Sequence, residues 1–358
     1  MQPLHRPHRL SPRAHFLIAF TVAVGFACAP AQGAPVRGAA VAGTAQGKAV
    51  TEKAPTETLQ PATPAAAVTH VTMRNVHFFV DPKVVLRVRR LSGEMRAVSD
   101  GPIVFDDKRS FTIKITSAEV GLASADLTVL LNKYVFGYPG APLKRLRVST
   151  SGRHLVQKGV LHKLVDIPFE IKAAVEPMPD GWLRLRPLTT RIFGVDGEGL
   201  MRALNLTLEK LLDLKGAHGA RVSGNNILLY PDSILPPPGI EGRVTAVRIE
   251  GDELVQTFGP VAASTPDWSV PPDTVARNYM YYRGGTLRFG KLLMLDADMQ
   301  IVDLDPGTPF RFDLDRYKQQ LVAGYSKSLA NGGLEVFMPD IEKATSSDSA
   351  LSGRIHPR

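Results

Sequence analysis

The chain has one cysteine, Cys28, in 358 residues, and two tryptophans. Cys28 lies in the apolar part of an N-terminal stretch that reads as a secretory leader, so cleavage after Gly33 leaves a mature chain with no cysteine at all. Disulfides, thiolate catalysis and cysteine-ligated zinc or iron–sulfur sites are then excluded for a single chain. Aromatic residues make up only 7% of the sequence, and they do not interleave with a dense Lys/Arg run, so nothing points to nucleic acid. The formal charge is +9, and loss of Arg6, Arg9 and Arg13 with the leader leaves about +6, a weak field. The apolar run Phe16 to Ala29 falls short of the roughly 20 residues that span a bilayer. H-E-x-x-H, G-x-S-x-G and S-x-x-K are all missing, and the chain is read as a non-enzyme without a cofactor.

What is present divides the chain. Residues 1–33 read as the signal peptide, with Ala31-Gln32-Gly33 offering small residues for cleavage before Ala34. Gly25-Phe26-Ala27 before Cys28 matches a lipoprotein site less well, so export without lipidation is expected. Residues 34–68 are rich in Ala, Pro and Thr and read as a disordered tether. A main body is expected over 69–258, a linker over 259–272 and a β-rich extension with one helix over 273–343. That extension is either a second lobe or a continuation of the same sheet. Residues 344–358 read as a disordered tail.

Period-2 alternation dominates the body. Val84, Leu86 and Val88 share a face, as do Phe111, Ile113 and Ile115, and as do Ile167, Phe169, Ile171, Ala173 and Val175. Ser151-Gly152 and Asp180-Gly181 supply tight hairpin turns, which favours antiparallel pairing. Three helices are expected. The first starts at Ser124 as N-cap, carries Leu127, Leu130, Leu131, Tyr134 and Val135, and stops at Gly137. The second runs from about Gly199 with Leu200, Leu204, Leu208, Leu211 and Leu212 on one face. The third runs from about Asp315 to Leu329 with Tyr317, Leu321 and Tyr325 at i, i+4 and i+8. The fold class is therefore α+β, a curved and mainly antiparallel β-sheet packed against two or three short amphipathic helices.

The succession ADLTVLLNKYVF, LKRLRVSTSGRHLVQKGVLHK, VDIPFEIKAAVEPMPDGWLRLRPL and GEGLMRALNLTLEKLLDL resembles the LmeA-like phospholipid-binding envelope proteins, which are related in architecture to tubular lipid-binding proteins. The shared pattern is a leucine-rich helix with an Asn, a hairpin carrying a glycine, a strand with a "vP" step, a D-G hairpin and a second leucine-rich helix. It covers roughly residues 117–259, and residues 260–358 have no counterpart in it. The resemblance implies a periplasmic or cell-envelope protein whose twisted sheet and helices leave an apolar groove for a phospholipid or another acyl-chain lipid. Leu127, Leu130, Leu131, Tyr134, Ile167, Phe169, Ile171, Leu204 and Leu208 are the candidate walls. Arg145, Arg147 and Lys158, in the densest cationic region, are the candidates for a head group or a membrane surface.

Other motifs take plainer readings. Gly197-Glu198-Gly199 lacks the third glycine of a dinucleotide loop and marks the start of a helix. Asp296, Asp298, Asp303 and Asp305 have strand spacing without the glycine and terminal Glu of a calcium loop, so no metal is expected. Tyr279, Tyr281 and Tyr282 are either an interfacial contact or an inward-facing strand. Ser233 to Gly239 reads as extended polyproline II. The alternatives to lipid binding are a non-enzymatic scaffold of an envelope assembly, and a hydrolase whose groups converge from distant loops.

Overall fold

In the computed structural model, residues 68–162, 165–203, 207–260 and 270–345 are described. The leader, the tether up to residue 67, Leu204 and the tail from residue 346 lie outside them. The first hairpin joins β1 (Thr69–Asp81) to β2 (Val84–Ala97). Its turn is fixed by Pro82 and by the Asp81 carboxylate, which accepts the Lys83 N–H at 3.0 Å. Asn75 takes a left-handed φ of 55° and has no partner in the β1–β2 register. The register is the same on either side, with Arg74 opposite Arg90 and Val76 opposite Val88, so the two strands change face together here: Met73 and Val76 of β1 and Val88 and Leu91 of β2 are all buried.

The chain continues through a short β3 (Ile103–Val104) to β4 (Phe111–Ala123). Helix α1 (Ser124–Val129) runs on into a π-helical segment, Leu130–Val135. Ala123, one residue before the expected Ser124, is the N-cap, and its N–H is accepted by Asp126 Oδ2 at 3.0 Å. Gly137 ends the segment because a Cβ there would sit 2.2 Å from the Lys133 carbonyl oxygen. Four antiparallel strands follow, β5 (Leu143–Ser151), β6 (His154–His162), β7 (Asp166–Pro177) and β8 (Leu183–Ile192). Their turns use Gly152 at φ 58° and Gly181 at φ 88°, the positions the hairpin signals specify.

The second leucine-rich segment is not one helix. After β9 (Val195–Asp196), α2 covers Gly197–Ala203, and a new turn, α3 (Leu208–Leu211), begins at an extended Thr207 whose side chain accepts the Lys210 N–H. The Asn225 side chain accepts the Leu208 N–H and Glu209 accepts the Gly224 N–H, so α3 is anchored by the following hairpin rather than by α2. That hairpin is β10 (Ala220–Ser223) and β11 (Asn226–Leu229). Pro231–Ile234 then forms a helical turn, α4, where extended chain was expected from Ser233. Proline suits the first turn because its missing N–H would have no helical partner there.

The chain then makes β12 (Gly239–Glu241), β13 (Val244–Glu250) and β14 (Glu253–Phe258). Beyond residue 270 come β15 (Tyr279–Arg283), β16 (Thr286–Phe289), β17 (Leu292–Leu295), β18 (Asp298–Asp303) and β19 (Phe310–Asp313). Helix α5 (Tyr317–Ala323) is followed by β20 (Tyr325–Ser328) and β21 (Leu334–Met338). The third helix is therefore shorter than its periodicity suggests. Gly324 ends it, and Tyr325 joins a strand where its ring stacks on Phe337 at 4.7 Å.

The large sheet has the order β13-β14-β4-β2-β1-β15-β18-β21-β20. Residues 273–343 extend it, because β15 pairs antiparallel with β1. Both β1 and β4 change outer neighbours midway. The first half of β1 pairs with β15 and its second half with parallel β19; β4 pairs with parallel β12 near its start and with β14 near its end. The result is a curled, mainly antiparallel half-barrel with few short helices. A cluster of rings fills it, with Phe105 within 5.2–5.9 Å of Phe111, Tyr282, Phe289 and Tyr317. Tyr279, Tyr281 and Tyr282 are buried in β15 between two other strands, which removes them as an interfacial patch.

The second sheet is antiparallel, in the order β10-β11-β8-β7-β6-β5 with β9 on β8. No strand of it pairs with a strand of the half-barrel. Among the described residues, no helix is long and apolar enough to cross a membrane.

Candidate functional site

An apolar slit lies where the second sheet packs on the β4–β14 side of the half-barrel. The half-barrel contributes Leu122, Leu254 and Gln256. Leu127, Leu130 and Leu131 come from α1 and the π-helical segment, and Ile234 from α4. The inner face of the second sheet supplies Val148, Leu155, Gln157, Ile171, Ala173, Val175, Leu183, Leu185, Pro187, Ile227 and Leu229. All of these side chains are apolar except two glutamines. A neighbouring apolar cavity, walled by Leu86, Val88, Leu91, Ile115, Val120 and Phe258 among others, shares Leu122, Ile234 and Gln256 with the slit.

The helical wall is held in place by polar side chains that replace strand partners. Asn132 donates to the Leu146 carbonyl at 2.7 Å and accepts the Leu146 N–H at 3.0 Å. Thr128 Oγ1 accepts the Val148 N–H at 2.9 Å. The Asn of the leucine-rich helix therefore pins β5 to the helix. At the other end of the helix, Asp126 accepts the Val85 N–H and is paired with Arg87. Leu127, Leu130 and Leu131 are thus aimed between the sheets by contacts to both.

Four of the nine expected wall residues, Leu127, Leu130, Leu131 and Ile171, line the slit. Phe169 and Leu208 pack in the adjoining cluster with Leu146, Met201 and Leu212. Gly159 makes room there, since a Cβ would meet Leu146 at 2.6 Å and Phe169 at 3.1 Å. Tyr134 turns away, its hydroxyl donating to Asp81 at 2.7 Å. Ile167 is half-buried at the start of β7. The expected cationic residues stand on the other side of the sheet. On β6, Leu155 and Gln157 face inward and Lys158 outward; on β5, Leu146 and Val148 face inward and Arg145 and Arg147 outward. Arg145 is bridged to Asp166 at 2.8 Å and Lys158 to Glu170 at 2.9 Å. A head group on a chain held in the slit is not within their reach.

The slit is narrow, with a cavity volume of about 50 Å³. A void of about 150 Å³ is what holds a benzene ring, so the slit as it stands is smaller than one ring needs. The two sheets share no strand ladder and are joined by side-chain packing and by the hydrogen bonds that the helical wall makes to both. Two wider depressions, of about 610 and 400 Å³, are rimmed by charged residues such as Glu209, Lys210, Asp213 and Lys215 in one and Glu198 and Arg202 in the other. They lack the contiguous apolar wall a hydrocarbon needs.

Neither Gln157 nor Gln256 titrates, so the slit has no general acid or base among its lining residues. His162 is exposed on the second sheet and hydrogen-bonds Asp166 at 2.6 Å. No group of three or more His, Cys, Asp or Glu among the described residues is placed to hold a metal ion. The four aspartates separate into different roles: Asp298 bridges to Arg283, while Asp303 is buried and accepts from Asn278 at 2.9 Å. No family model, no curated protein and no solved structure matches the chain.

Proposed function

We propose that this chain is an exported cell-envelope protein that holds the acyl chain of a phospholipid, or of another acyl lipid, in the slit between its half-barrel and its second sheet. It carries or presents the lipid without altering it. The observation that carries the reading is the slit itself, a seam of contiguous apolar side chains between two sheets that share no backbone ladder. A chain inserted there exchanges water for apolar wall at about 0.8 kcal/mol per CH₂. Eight to ten methylenes then supply roughly the 8 kcal/mol of a micromolar complex. The lining has no charge to hold an ion and no acid or base to cut a bond, which suits retention of an unreacted hydrocarbon. The leader and the family resemblance read from the sequence support the same role.

The test uses two neighbouring alanines on β7. Ala173 lines the slit, whereas Ala174 faces the other side of the sheet. With pyrene-labelled phosphatidylcholine in vesicles as the donor, Ala173→Trp is expected to weaken uptake tenfold or more, and Ala174→Trp to leave it unchanged. Far-UV circular dichroism of both variants checks the fold, since overpacking costs about 1–3 kcal/mol. Equal uptake by the wild type and a folded Ala173→Trp would remove the slit as the binding site and shift the reading to a scaffold.

A further inference from the structure

Gln157 and Gln256 are the two polar side chains in the slit, and they enter it from opposite walls, β6 of the second sheet and β14 of the half-barrel. Both are more than nine-tenths buried, at 8% and 5% exposed. Neither has a hydrogen-bond partner among the described residues, whereas the buried amides of Asn278 and Gln320 elsewhere in the fold are bonded several times over. Without a protein partner, the two amides are left to bond to whatever enters the slit. A leucine or methionine at either position would continue the apolar wall. Both glutamines sit in the same local sequence, Leu155-Val156-Gln157 and Leu254-Val255-Gln256, with Leu and Gln on the inward face.

Resting on the acyl-chain reading, we infer that the two glutamines recognise a neutral hydrogen-bonding linkage of the lipid, an ester or amide carbonyl, drawn into the slit with the chain. The amide N–H groups donate to the carbonyl oxygen. The group they meet is uncharged, because the lining contains no cation to compensate a carboxylate or phosphate. The site thus selects acyl esters and amides over free fatty acids and over ether or plain hydrocarbon chains. With ligand the amides gain the protein-side partner they otherwise lack.

The experiment is displacement of N-phenyl-1-naphthylamine, a neutral apolar fluorophore, from the full mature chain. The competitors are 1-palmitoylglycerol, its ether counterpart 1-O-hexadecylglycerol, and palmitate, each below its aggregation concentration. The ester is expected to compete tenfold or more better than the ether and the free acid. In Gln157→Met and Gln256→Met, which keep the side-chain length, the ester falls to the level of the ether while the ether is unaffected. Each variant also melts higher by about 2–4 °C, the shift that about 1 kcal/mol gives a domain of this size. Equal competition by ester and ether in the wild type overturns the inference and leaves the acyl-chain reading standing. So does discrimination that survives in both variants, or a fall in melting temperature on substitution, which would mark the amides as structural. Failure of all three lipids to displace the fluorophore overturns both.

Discussion

Asp126→Ala is expected to lower the unfolding free energy by roughly 3–5 kcal/mol, the range found when one member of a buried, hydrogen-bonded charge pair is removed. Asp126 is 5% exposed and serves three partners. Its carboxylate accepts the Ala123 N–H at 3.0 Å, which caps α1, and the Val85 N–H at 3.2 Å, which fastens the helix to β2. It also pairs with Arg87, whose second carboxylate is Glu253 at 3.1 Å. Truncation leaves two buried backbone donors unpaired, each costing about 1–3 kcal/mol. The Arg87 guanidinium keeps Glu253, which limits the loss. Asp126→Asn retains an acceptor and is expected to recover about half. Urea denaturation at pH 7 measures both, and a loss below 1 kcal/mol for Asp126→Ala would show that the helix is held by its leucines alone. Because α1 carries Leu127 toward the slit, the same variant is also expected to loosen the slit wall.

Acidification from pH 7 to 5 is expected to change the stability of the wild type little, because a half-buried histidine and a buried aspartate oppose each other. His77 lies in the ladder between Arg87 of β2 and Arg311 of β19. Burial first, and then those two guanidinium groups, push its imidazole down to about 4 from 6.5, with Asp126 and Glu342 acting the other way. A base held below its unfolded value contributes stability that is complete above pH 6.5 and is lost as pH falls toward 4. Asp303 is the converse. Burial, with Asp340 and Asp305 nearby, pushes its carboxyl up to about 6 from 3.8 despite the hydrogen bonds from Asn278 and the Asp305 N–H. Its ionised form destabilises the fold above pH 6, so stability is regained as pH falls from 6 toward 4.

Each effect amounts to about 1–2 kcal/mol between pH 7 and 5. His77→Gln is therefore expected to become more stable on acidification, and Asp303→Asn less stable. The two variants' pH dependences should diverge by roughly 3 kcal/mol over this interval. Carboxylates held low by ion pairs, such as Glu119 with Arg248 and Arg89, lose their contribution only below this interval. Parallel curves for the two variants in thermal unfolding at pH 5, 6 and 7 would contradict the assignment.

The strands were legible in the sequence because a half-buried sheet writes its period directly into the chain. Val84, Leu86 and Val88, and Phe111, Ile113 and Ile115, all face the core as their alternation requires. Local turn chemistry was equally readable at Gly152 and Gly181. Helices were less so, because leucines at i and i+4 fit more than one backbone. Leu208 and Leu211 belong to a separate turn begun at Thr207, and Tyr325 continues a helical spacing while pairing in a strand opposite Phe337. Nothing local announced that β15 would lie against β1, since that pairing is set by the closure of the half-barrel.

The slit was half legible for the same reason. Leu127, Leu130 and Leu131 stood out as an apolar helical stripe and Ile171 as part of an apolar strand face. Leu155, Leu183, Leu185, Ile227 and Leu254 carry no local signal that sets them apart, and their convergence depends on how the second sheet sits on the first. The available signal was a glutamine at an inward position of an apolar strand, at Gln157 and again at Gln256. Density of charge in sequence says nothing about which face of a sheet carries it. Arg145, Arg147 and Lys158 cluster along β5 and β6, yet they point away from the cavity.

Whether the slit holds an acyl lipid is measured most directly by mass spectrometry of an organic extract of residues 34–358, exported and purified without detergent. The expected result is an ester- or amide-linked acyl lipid in near-stoichiometric amount, depleted in the Ala173→Trp variant and retained in Ala174→Trp. A folded protein that yields no lipid, and that takes up none from vesicles, would contradict it.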